Sequence, residues 1–427
     1  MISARIFILI MSIGSLLYGI IISGISDKHR KKPLPEEVSD VYNPERYQTY
    51  INFEADKKKL RNKYKAINLI LDIVLIFSPV YEYIDNWFNG NPYLIFLTTY
   101  MIIWVISTII ETFASYEITF GLMEKYGLNK KDLKEFVKDE VINELMGLFI
   151  TVALLELLTF IGEHMSEWTN DFSVGYKVSF LICLGIVAVL FIFFVVAQLI
   201  GYAVLKKQYT FTPLEDGELK DKINALQADS KKKVKRIYIY NESKKTTTKN
   251  AFLLKLFWHR EFGIADNFIN ENAEDELLAV LSHEIGHLKH KKNILNFISY
   301  GEDVLLAIIV LLLMVNPEII LICTNWIRES FNITANNYYL IFIVFGYIIK
   351  PLSFLSGLFS MYKSRWEEYE ADRESVKNGY GEALITTFKT LSSDELVNVY
   401  PHPFIEFTEY DHPGMYQRIK AIREAMK

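Results

Sequence analysis

Residues 178–203 read VSFLICLGIVAVLFIFFVVAQLIGYA, a run with no Asp, Glu, Lys, Arg or His. A helix of about 20 such residues crosses the hydrocarbon core of a bilayer. Six further apolar blocks have comparable length. Together the blocks predict spans at 6–24, 66–84, 93–114, 142–161, 178–203, 304–323 and 339–359. The sequence therefore predicts a mainly α, multi-pass membrane protein with seven transmembrane helices.

The composition agrees with apolar blocks separated by polar ones. Hydrophobic residues make up 51% of the 427 residues, and charged residues 23%. The only cysteines, Cys183 and Cys323, both lie in apolar runs, which excludes a disulfide scaffold. A net charge of −5 argues against nucleic acid as a partner.

Basic residues in the loops predict the orientation. Eleven Lys or Arg separate spans one and two, and five separate spans three and four. The alternate loops hold zero, one and one. Because cytoplasmic loops carry the excess of Lys and Arg, we expect the amino terminus outside and the carboxyl terminus in the cytosol. Asp72 and Glu156 lie centrally in spans, so we expect them to face the protein interior.

The polar stretches between and after the spans predict the domain organisation. We divide the chain into five transmembrane helices over 1–203, a cytosolic α+β insert over 204–303, two further transmembrane helices over 304–360 and a cytosolic segment over 361–427. Within the insert, residues 219–226 predict a helix, and 236–240 and 251–258 predict strands. A longer helix is predicted to begin with Asn272 as its N-cap.

This longer helix contains His283-Glu284-Ile-Gly-His287. Histidines four residues apart share one face of a helix, so both can bind one zinc ion. Glu284 can then reach a zinc-bound water without becoming a ligand, and can take its proton. The motif predicts one zinc ion per chain and a hydrolytic reaction.

A catalytic zinc needs a third protein ligand and an open fourth position. One candidate is His290, one turn further along the same helix. Another is Glu368, which shares a helical face with Asp372; Asp372 could then orient a zinc-bound histidine. Glu367 and Glu370 point elsewhere on that helix. The residues alone leave the choice open.

Several motifs resemble the integral-membrane CAAX prenyl endopeptidases of type I, which process farnesylated protein tails. The segment Glu368-Tyr-Glu-Ala-Asp372 resembles the motif that carries that family's zinc glutamate. Residues 124–130, EKYGLNK, and 213–219, PLEDGEL, resemble two further family segments. His412-Pro413 followed by Arg418 matches a His-Pro and Arg at the family's spacing.

The resemblance implies a seven-span helical barrel around an aqueous chamber, with Glu368 as the third zinc ligand and Asp372 orienting a ligand. It implies that His412 and Arg418 stabilise the oxyanion. Asn250 and Ala251 match the start of an edge strand that pairs with extended substrate, although Thr248 replaces a family histidine. The partners implied are peptide or protein substrates, including prenylated tails, and membrane lipid.

Two alternatives stay open at this stage. One is a membrane quality-control zinc protease, although such enzymes typically have about four spans. The other is a non-catalytic transporter or scaffold, which would show a closed fourth ligand at the metal. Residues 33–61 look closer to prokaryotic members of the family, which favours the cytoplasmic membrane; a eukaryotic source would predict the endoplasmic reticulum membrane.

Overall fold

The computed structural model describes residues 2–169, 176–230, 233–256, 259–289 and 317–427. Most of these residues are helical. The helices are α1 (Ala4–Arg30), α2 (Pro44–Phe77), α3 (Val80–Trp87), α4 (Pro92–Tyr116), α5 (Leu133–Thr169), α6 (Tyr176–Gln208), α7 (Glu218–Leu226), α8 (Asp266–Glu271), α9 (Glu274–Lys289), α10 (Pro317–Phe331), α11 (Tyr338–Lys377), α12 (Gly381–Asp394), α13 (Pro403–Glu409) and α14 (Met415–Ala425). A π-helical turn, Glu117–Met123, continues α4.

Polar caps mark where several apolar helices begin. The side chain of Ser3 accepts a hydrogen bond from the backbone N–H of Ile6 at the start of α1. Asn91 does the same for Leu94, and Pro92 occupies the first position of α4. Each cap satisfies a backbone donor that the helix itself leaves unpaired, so the helix begins where the apolar block begins.

Five helical segments in the described part of the chain are long and apolar enough to cross a bilayer: Ala4–Arg30, Pro92–Met123, Leu133–Ile161, Phe191–Gln208 and Tyr338–Lys377. A sixth candidate is the pair α2 and α3, which bends by 50° at its break. These six correspond to predicted spans one to five and seven. The predicted sixth span, 304–323, lies mostly outside the described residues.

The candidate spans expose apolar side chains to their surroundings. Phe191, Ile192 and Phe194 on α6 are 63%, 61% and 59% exposed. In water, an apolar surface of this extent would be unfavourable, but lipid chains cover it at no cost. The outward faces of the helices therefore suit a bilayer.

Polar groups in the spans face inward. Asp72 on α2 accepts a hydrogen bond of 3.0 Å from the hydroxyl of Ser12 on α1. The Ser12 hydroxyl also lies 3.1 Å from the hydroxyl of Tyr347 on α11. Asp72 and Tyr347 border a cavity of about 390 Å³. The expectation that Asp72 faces the interior is thus confirmed; Glu156 is half-buried on α5.

A four-stranded sheet precedes α8 and α9. Its strands are β1 (Phe211–Pro213), β2 (Arg236–Tyr240), β3 (Ala251–Leu256) and β4 (His259–Ala265). They lie in the order β1-β2-β4-β3; β2 and β4 are parallel and the other pairs antiparallel. The predicted helix at 219–226 and the strand at 236–240 are confirmed. The strand predicted at 251–258 is observed over 251–256, and residues 257–258 lie outside the described residues. Strands β1 and β4 were not predicted. β3 forms one edge of this sheet.

Helices α9 and α11 approach each other closely at Gly286. A Cβ atom built on Gly286 would lie 2.7 Å from the Cα atom of Ala371, well inside van der Waals contact. Beside this contact, the hydroxyl of Ser375 donates a hydrogen bond of 3.0 Å to the carbonyl of Ala279. The small residues Gly286 and Ala371 therefore allow the backbones of α9 and α11 to pack closely. This contact lies beside the ionisable side chains of both helices.

Replacing Gly286 with alanine should push α9 away from α11. We expect Gly286→Ala to lower the free energy of unfolding by about 1–3 kcal/mol through overpacking, despite the higher helix propensity of alanine. Thermal unfolding of the detergent-purified protein measures this. Gly357→Ala on α11 is the matched control, because no atom lies within 4 Å of its added Cβ. Equal unfolding temperatures for both variants and the wild type would contradict the packing argument.

Candidate metal centre

His283 and His287 lie one turn apart on α9, with their Nε2 atoms 3.2 Å apart. The His283 side chain is buried and that of His287 is half-buried. The helix begins one residue later than expected: the N–H of Leu277 bonds to the carbonyl of Ala273, and Asn272 instead donates from its side chain to Glu276. The shift does not alter the shared face of the two histidines.

Helix α11 brings Glu368 to these histidines. Its Oε1 atom lies 3.2 Å from Nε2 of His287, and its Oε2 atom lies 3.4 Å from Nε2 of His283. One ligand atom from each of the three residues lies within 4.8 Å of the other two. A tetrahedral ion with bonds of about 2.0–2.1 Å separates its ligands by about 3.4 Å. The two nitrogens and the carboxylate therefore fit a metal ion by both spacing and donor chemistry.

Asp372 and Arg418 support this group from behind. Oδ1 of Asp372 lies 2.9 Å from Nδ1 of His283, which leaves the Nε2 atom of that ring facing Glu368. Arg418 on α14 donates to both oxygens of Asp372, at 2.6 Å from Nη2 and 3.0 Å from Nε. Its Nη1 atom lies 3.2 Å from Glu368. The buried guanidinium thus holds two carboxylates in place.

His412 lies beside Glu368 and is exposed. Its side chain is 57% exposed, and its Nε2 atom lies 3.5 Å from Oε1 of Glu368. Its Nδ1 atom lies 2.8 Å from the carboxylate of Asp411. Arg365 on α11 anchors the preceding segment, since Nη1 donates to the carbonyls of Glu406, at 3.0 Å, and Tyr410. The ring is therefore accessible beside the candidate metal ligands.

Glu284 is half-buried on α9 between the two histidines in sequence. Among the residues that the structure describes, its side chain makes no hydrogen bond, so its carboxylate is available to a substrate or water. His290, the other candidate ligand on this helix, lies outside the described residues. Glu370 pairs with Arg373 and Glu367 lies near Lys363, both away from the histidines.

The charges around His283 favour its protonated form when no ion is bound. Burial alone would lower the pKa of this imidazole, but hydrogen bonds with Asp372 and Glu368 outweigh burial and raise the pKa to about 9. A metal ion would replace the proton as the positive charge facing Glu368. The site is therefore built to hold positive charge between its histidines and carboxylates.

The predicted substrate-binding residues lie at the start of the edge strand. Asn250 is exposed, and its carbonyl accepts a hydrogen bond of 2.9 Å from the N–H of Ala265. Ala251 is the first residue of β3 and pairs with Ile264. Thr248 lies two residues earlier and is half-buried. The structure thus places Asn250 and Ala251 at the start of a sheet edge.

Three supporting residues escaped the sequence reasoning. Ser375 and Asn378 connect α11 to α9, through Ala279 and the hydroxyl of Ser282. Arg365 positions the segment before His412. The sequence does contain a pattern that predicts two of these residues. Positions 365, 368, 372 and 375 recur at helical spacing, so Arg365 and Ser375 lie on the same face of α11 as Glu368 and Asp372.

A histidine pair faces a carboxylate on α11, a helix whose first half belongs to the apolar helical frame. This combination indicates a membrane metallopeptidase. The family comparisons agree with this class. Residues 213–426 match the model of peptidase family M48, and residues 26–201 match the model described as CAAX prenyl protease N-terminal, five membrane helices. The chain therefore belongs to peptidase family M48 and is a multi-pass membrane metalloendopeptidase of the CAAX prenyl protease type.

Individual relatives match most of the chain. The probable CAAX prenyl protease 1 of Schizosaccharomyces pombe is 27% identical over 426 residues, which covers 92% of this chain and 82% of the relative. The uncharacterized metalloprotease YhfN of Bacillus subtilis is 24% identical over 83% of this chain and 80% of its own. The crystal structure of Saccharomyces mikatae Ste24p superposes with a TM-score of 0.79, covers 99% of both chains and is 22% identical, so the folds agree.

Removing the charge of Asp372 should weaken metal binding. We expect Asp372→Asn to lower the affinity for zinc by about 10- to 100-fold, because the asparagine no longer fixes the orientation of His283. Competition with a chromophoric chelator measures the affinity. Glu370→Gln, on the same helix but in a surface pair with Arg373, is the matched control. Wild-type affinity in Asp372→Asn would show that His283 is oriented by other contacts.

Proposed function

We propose that this chain is a zinc-dependent endopeptidase with seven membrane spans that cleaves CAAX-type protein tails. The observation that carries the proposal is the group of His283, His287 and Glu368, with the exposed His412 beside Glu368 and Glu284 next to His283 in sequence. Among the described residues, the candidate ligand group has these three members. An open fourth position distinguishes catalytic from structural zinc sites.

Two imidazole nitrogens and one carboxylate oxygen are donors typical of catalytic zinc, so we propose zinc as the resident ion. When bound, zinc would polarise the scissile carbonyl and the attacking water. His283, His287 and Glu368 would hold the ion. The buried pair of Asp372 and Arg418 would hold the His283 ring and the Glu368 carboxylate in a fixed orientation during turnover.

Glu284 is the proposed general base. Its carboxylate accepts a proton from the attacking water and then delivers a proton to the leaving amine. His412 is exposed beside Glu368 and donates a hydrogen bond to the oxyanion that develops on the scissile carbonyl. An oxyanion role for Arg418 stays a prediction, while its contacts with two carboxylates support a positioning role.

The substrate class is the second part of the proposal. The edge strand β3 offers unpaired backbone groups that suit an extended peptide, entering beside Asn250 and Ala251. Relatives in Schizosaccharomyces pombe and two plants carry names that include CAAX prenyl protease 1, and they align with over 90% of this chain. A prenylated tail brings both the peptide and a membrane anchor to such an enzyme. We therefore propose prenylated carboxyl-terminal tails as substrates.

Replacing Glu284 with glutamine should abolish turnover and leave metal binding intact. We expect Glu284→Gln to cleave a farnesylated CAAX-type peptide at least 100-fold more slowly than the wild type, because the amide cannot accept the proton of the water. Zinc content, measured on the same samples, should remain at one ion per chain. Glu274→Gln, in a surface pair with Lys222 at the start of the same helix, is the control.

The same peptide without its farnesyl group distinguishes CAAX processing from the other two candidate functions. Preferential cleavage of the farnesylated peptide supports CAAX processing. Equal cleavage of both peptides would retain the mechanism and favour a membrane quality-control protease. No cleavage by a wild type that binds zinc would favour a non-catalytic scaffold or transporter. Activity retained in Glu284→Gln would contradict the mechanism itself.

The finer architecture is also a proposal. We propose a barrel of seven spans around an aqueous chamber, with domain boundaries at 203, 303 and 360 as the sequence predicts. The amino terminus would lie outside, and the metal centre would face the cytosol. The membrane would be the cytoplasmic one in a prokaryote and that of the endoplasmic reticulum in a eukaryote. The inward-facing Asp72, beside its cavity, supports a wet interior.

An odd number of spans places the two termini on opposite sides of the membrane. We expect an amino-terminal tag to react with an impermeant reagent applied from outside, and a carboxyl-terminal green fluorescent protein to fluoresce in the cytosol. A carboxyl-terminal alkaline phosphatase, which is active only outside, should stay inactive. Termini on the same side would require an even number of spans and would overturn this topology.

A further inference from the structure

A cavity of about 870 Å³ lies between α1, α2, the π-helical turn after α4 and the segment around residues 395–410. None of the three candidate metal ligands lines it. Thr248, just before the edge strand, lines it, and so does Tyr410, two residues before His412. A peptide that passes the metal centre along β3 could therefore continue into this cavity.

Five basic side chains line the cavity, and three of them already have carboxylate partners. Arg30 pairs with Asp27 and Glu54, while Lys57 pairs with Glu54 and Lys58 with Asp27. These three cations share two carboxylates, so this part of the lining retains about one positive charge.

The other two are Arg61 and Lys65, four residues apart on α2. Throughout the described ranges, neither forms an ion pair. Arg61 donates to the hydroxyl of Ser23 at 3.4 Å, and Lys65 packs over α1 at Gly19, where an added Cβ atom would overlap its ammonium group. Ser23 and Gly19 of α1 therefore accommodate the side chains of Arg61 and Lys65. Both cations lie at one wall of the cavity without a carboxylate partner.

Two further carboxyl groups line the cavity. Glu409 accepts a hydrogen bond from Tyr18, and burial raises the pKa of Glu395 to about 7. Even with Asp27, Glu54, Glu395 and Glu409 all ionised, the five basic side chains leave a net positive charge in the lining. The cavity therefore suits an anionic group that can contact Arg61 and Lys65 together, and a carboxylate can bind both.

The direction of peptide binding indicates which carboxylate this is. In an antiparallel pair with β3, the substrate runs opposite to the strand, so its carboxyl-terminal end leaves β3 near Asn250 and Thr248. Three residues beyond a scissile bond extend about 10 Å. A short carboxyl-terminal tail would thus enter the cavity with its terminal charge leading.

We propose that Arg61 and Lys65 bind the carboxyl-terminal carboxylate of the peptide substrate and so measure the length of the tail beyond the scissile bond. This inference rests on the proposed peptidase function and deepens it. It predicts that a free α-carboxylate speeds cleavage of a short carboxyl-terminal tail relative to the same tail with an uncharged terminus.

The test uses two farnesylated peptides that differ only in a free carboxylate or a carboxamide at the terminus. With the full-length wild type, we expect kcat/KM to favour the free acid by about tenfold or more, because charge-assisted hydrogen bonds are lost with the amide. In the double variant Arg61→Gln/Lys65→Gln, that ratio should fall to about one. Measurable cleavage of the carboxamide shows that the variant is folded.

Lys63→Gln is the matched control, because Lys63 lies on the same helix but pairs with Glu117 and does not line the cavity. This variant should keep the wild-type preference. Equal cleavage of the two peptides by the wild type would overturn the proposal. So would a double variant that loses activity equally on both peptides. If that equal loss occurs only in vesicles containing phosphatidylglycerol and not in phosphatidylcholine, the cations contact anionic lipid instead.

Binding to the inactive Glu284→Gln protein separates this proposal from the peptidase function. Tighter binding of the free acid than of the amide, abolished by Arg61→Gln/Lys65→Gln, would support the carboxylate site even if the wild type proved inactive. Cleavage by the wild type without any binding preference would support the peptidase and reject the carboxylate site.

Discussion

The buried carboxylate of Asp372 is the group on which the metal centre depends. The residue is 1% exposed, and an ionised carboxylate at such a position is unfavourable unless it is fully paired. Its partners, His283 and Arg418, come from α9 and α14. Three helices must therefore assemble before this charge is compensated. Losing one partner of a buried pair typically costs about 3–5 kcal/mol, so the site exists only in the assembled protein.

Helix α11 connects the metal centre to the apolar helices. It is a continuous helix of 40 residues, Tyr338–Lys377, and therefore about 60 Å long. Its first half packs with α1 and α10 through buried residues such as Val344, while its last third carries Glu368 and Asp372. The close contact at Gly286 then fixes α9 against it. A rigid element thus sets the position of the metal ligands relative to the bilayer, as cleavage of a membrane-anchored tail requires.

Sequence reasoning succeeded where the signal is local. Apolar blocks located five candidate spans and the bent pair of α2 and α3, because lipid imposes length and composition on each span separately. The spacing of His283 and His287 indicated a shared helical face for the same reason. The strands β1 and β4 were missed, since β1 has three residues and β4 begins with the charged sequence His259-Arg-Glu261. Both strands are defined by pairing with distant parts of the chain, and neither shows an alternation of apolar and polar residues that would predict a strand.

The contacts of Arg418 were likewise beyond the sequence. Its distance from His412 matched an oxyanion role, but nothing local shows that the guanidinium is buried against Asp372, 46 positions away in the chain. Arg365 is comparable, since it bonds to backbone carbonyls around Glu406 that have no side-chain signature. Tertiary structure therefore decides which of several arginines face carboxylates and which face a cavity.

Basic residues that pair with a carboxylate contribute differently to stability from basic residues that do not. Arg418, Arg30 and Lys58 each neutralise a carboxylate of the same protein, so their charges are accounted for by the fold. Arg61 and Lys65 have no such partner in the described structure, and they lie four residues apart on one helix, where like charges repel. Their mutual repulsion lowers stability, and the hydrogen bond from Arg61 to the Ser23 hydroxyl supplies no opposite charge. A negatively charged ligand would supply that charge, and in the carboxylate site proposed above the ligand is the free end of a peptide tail.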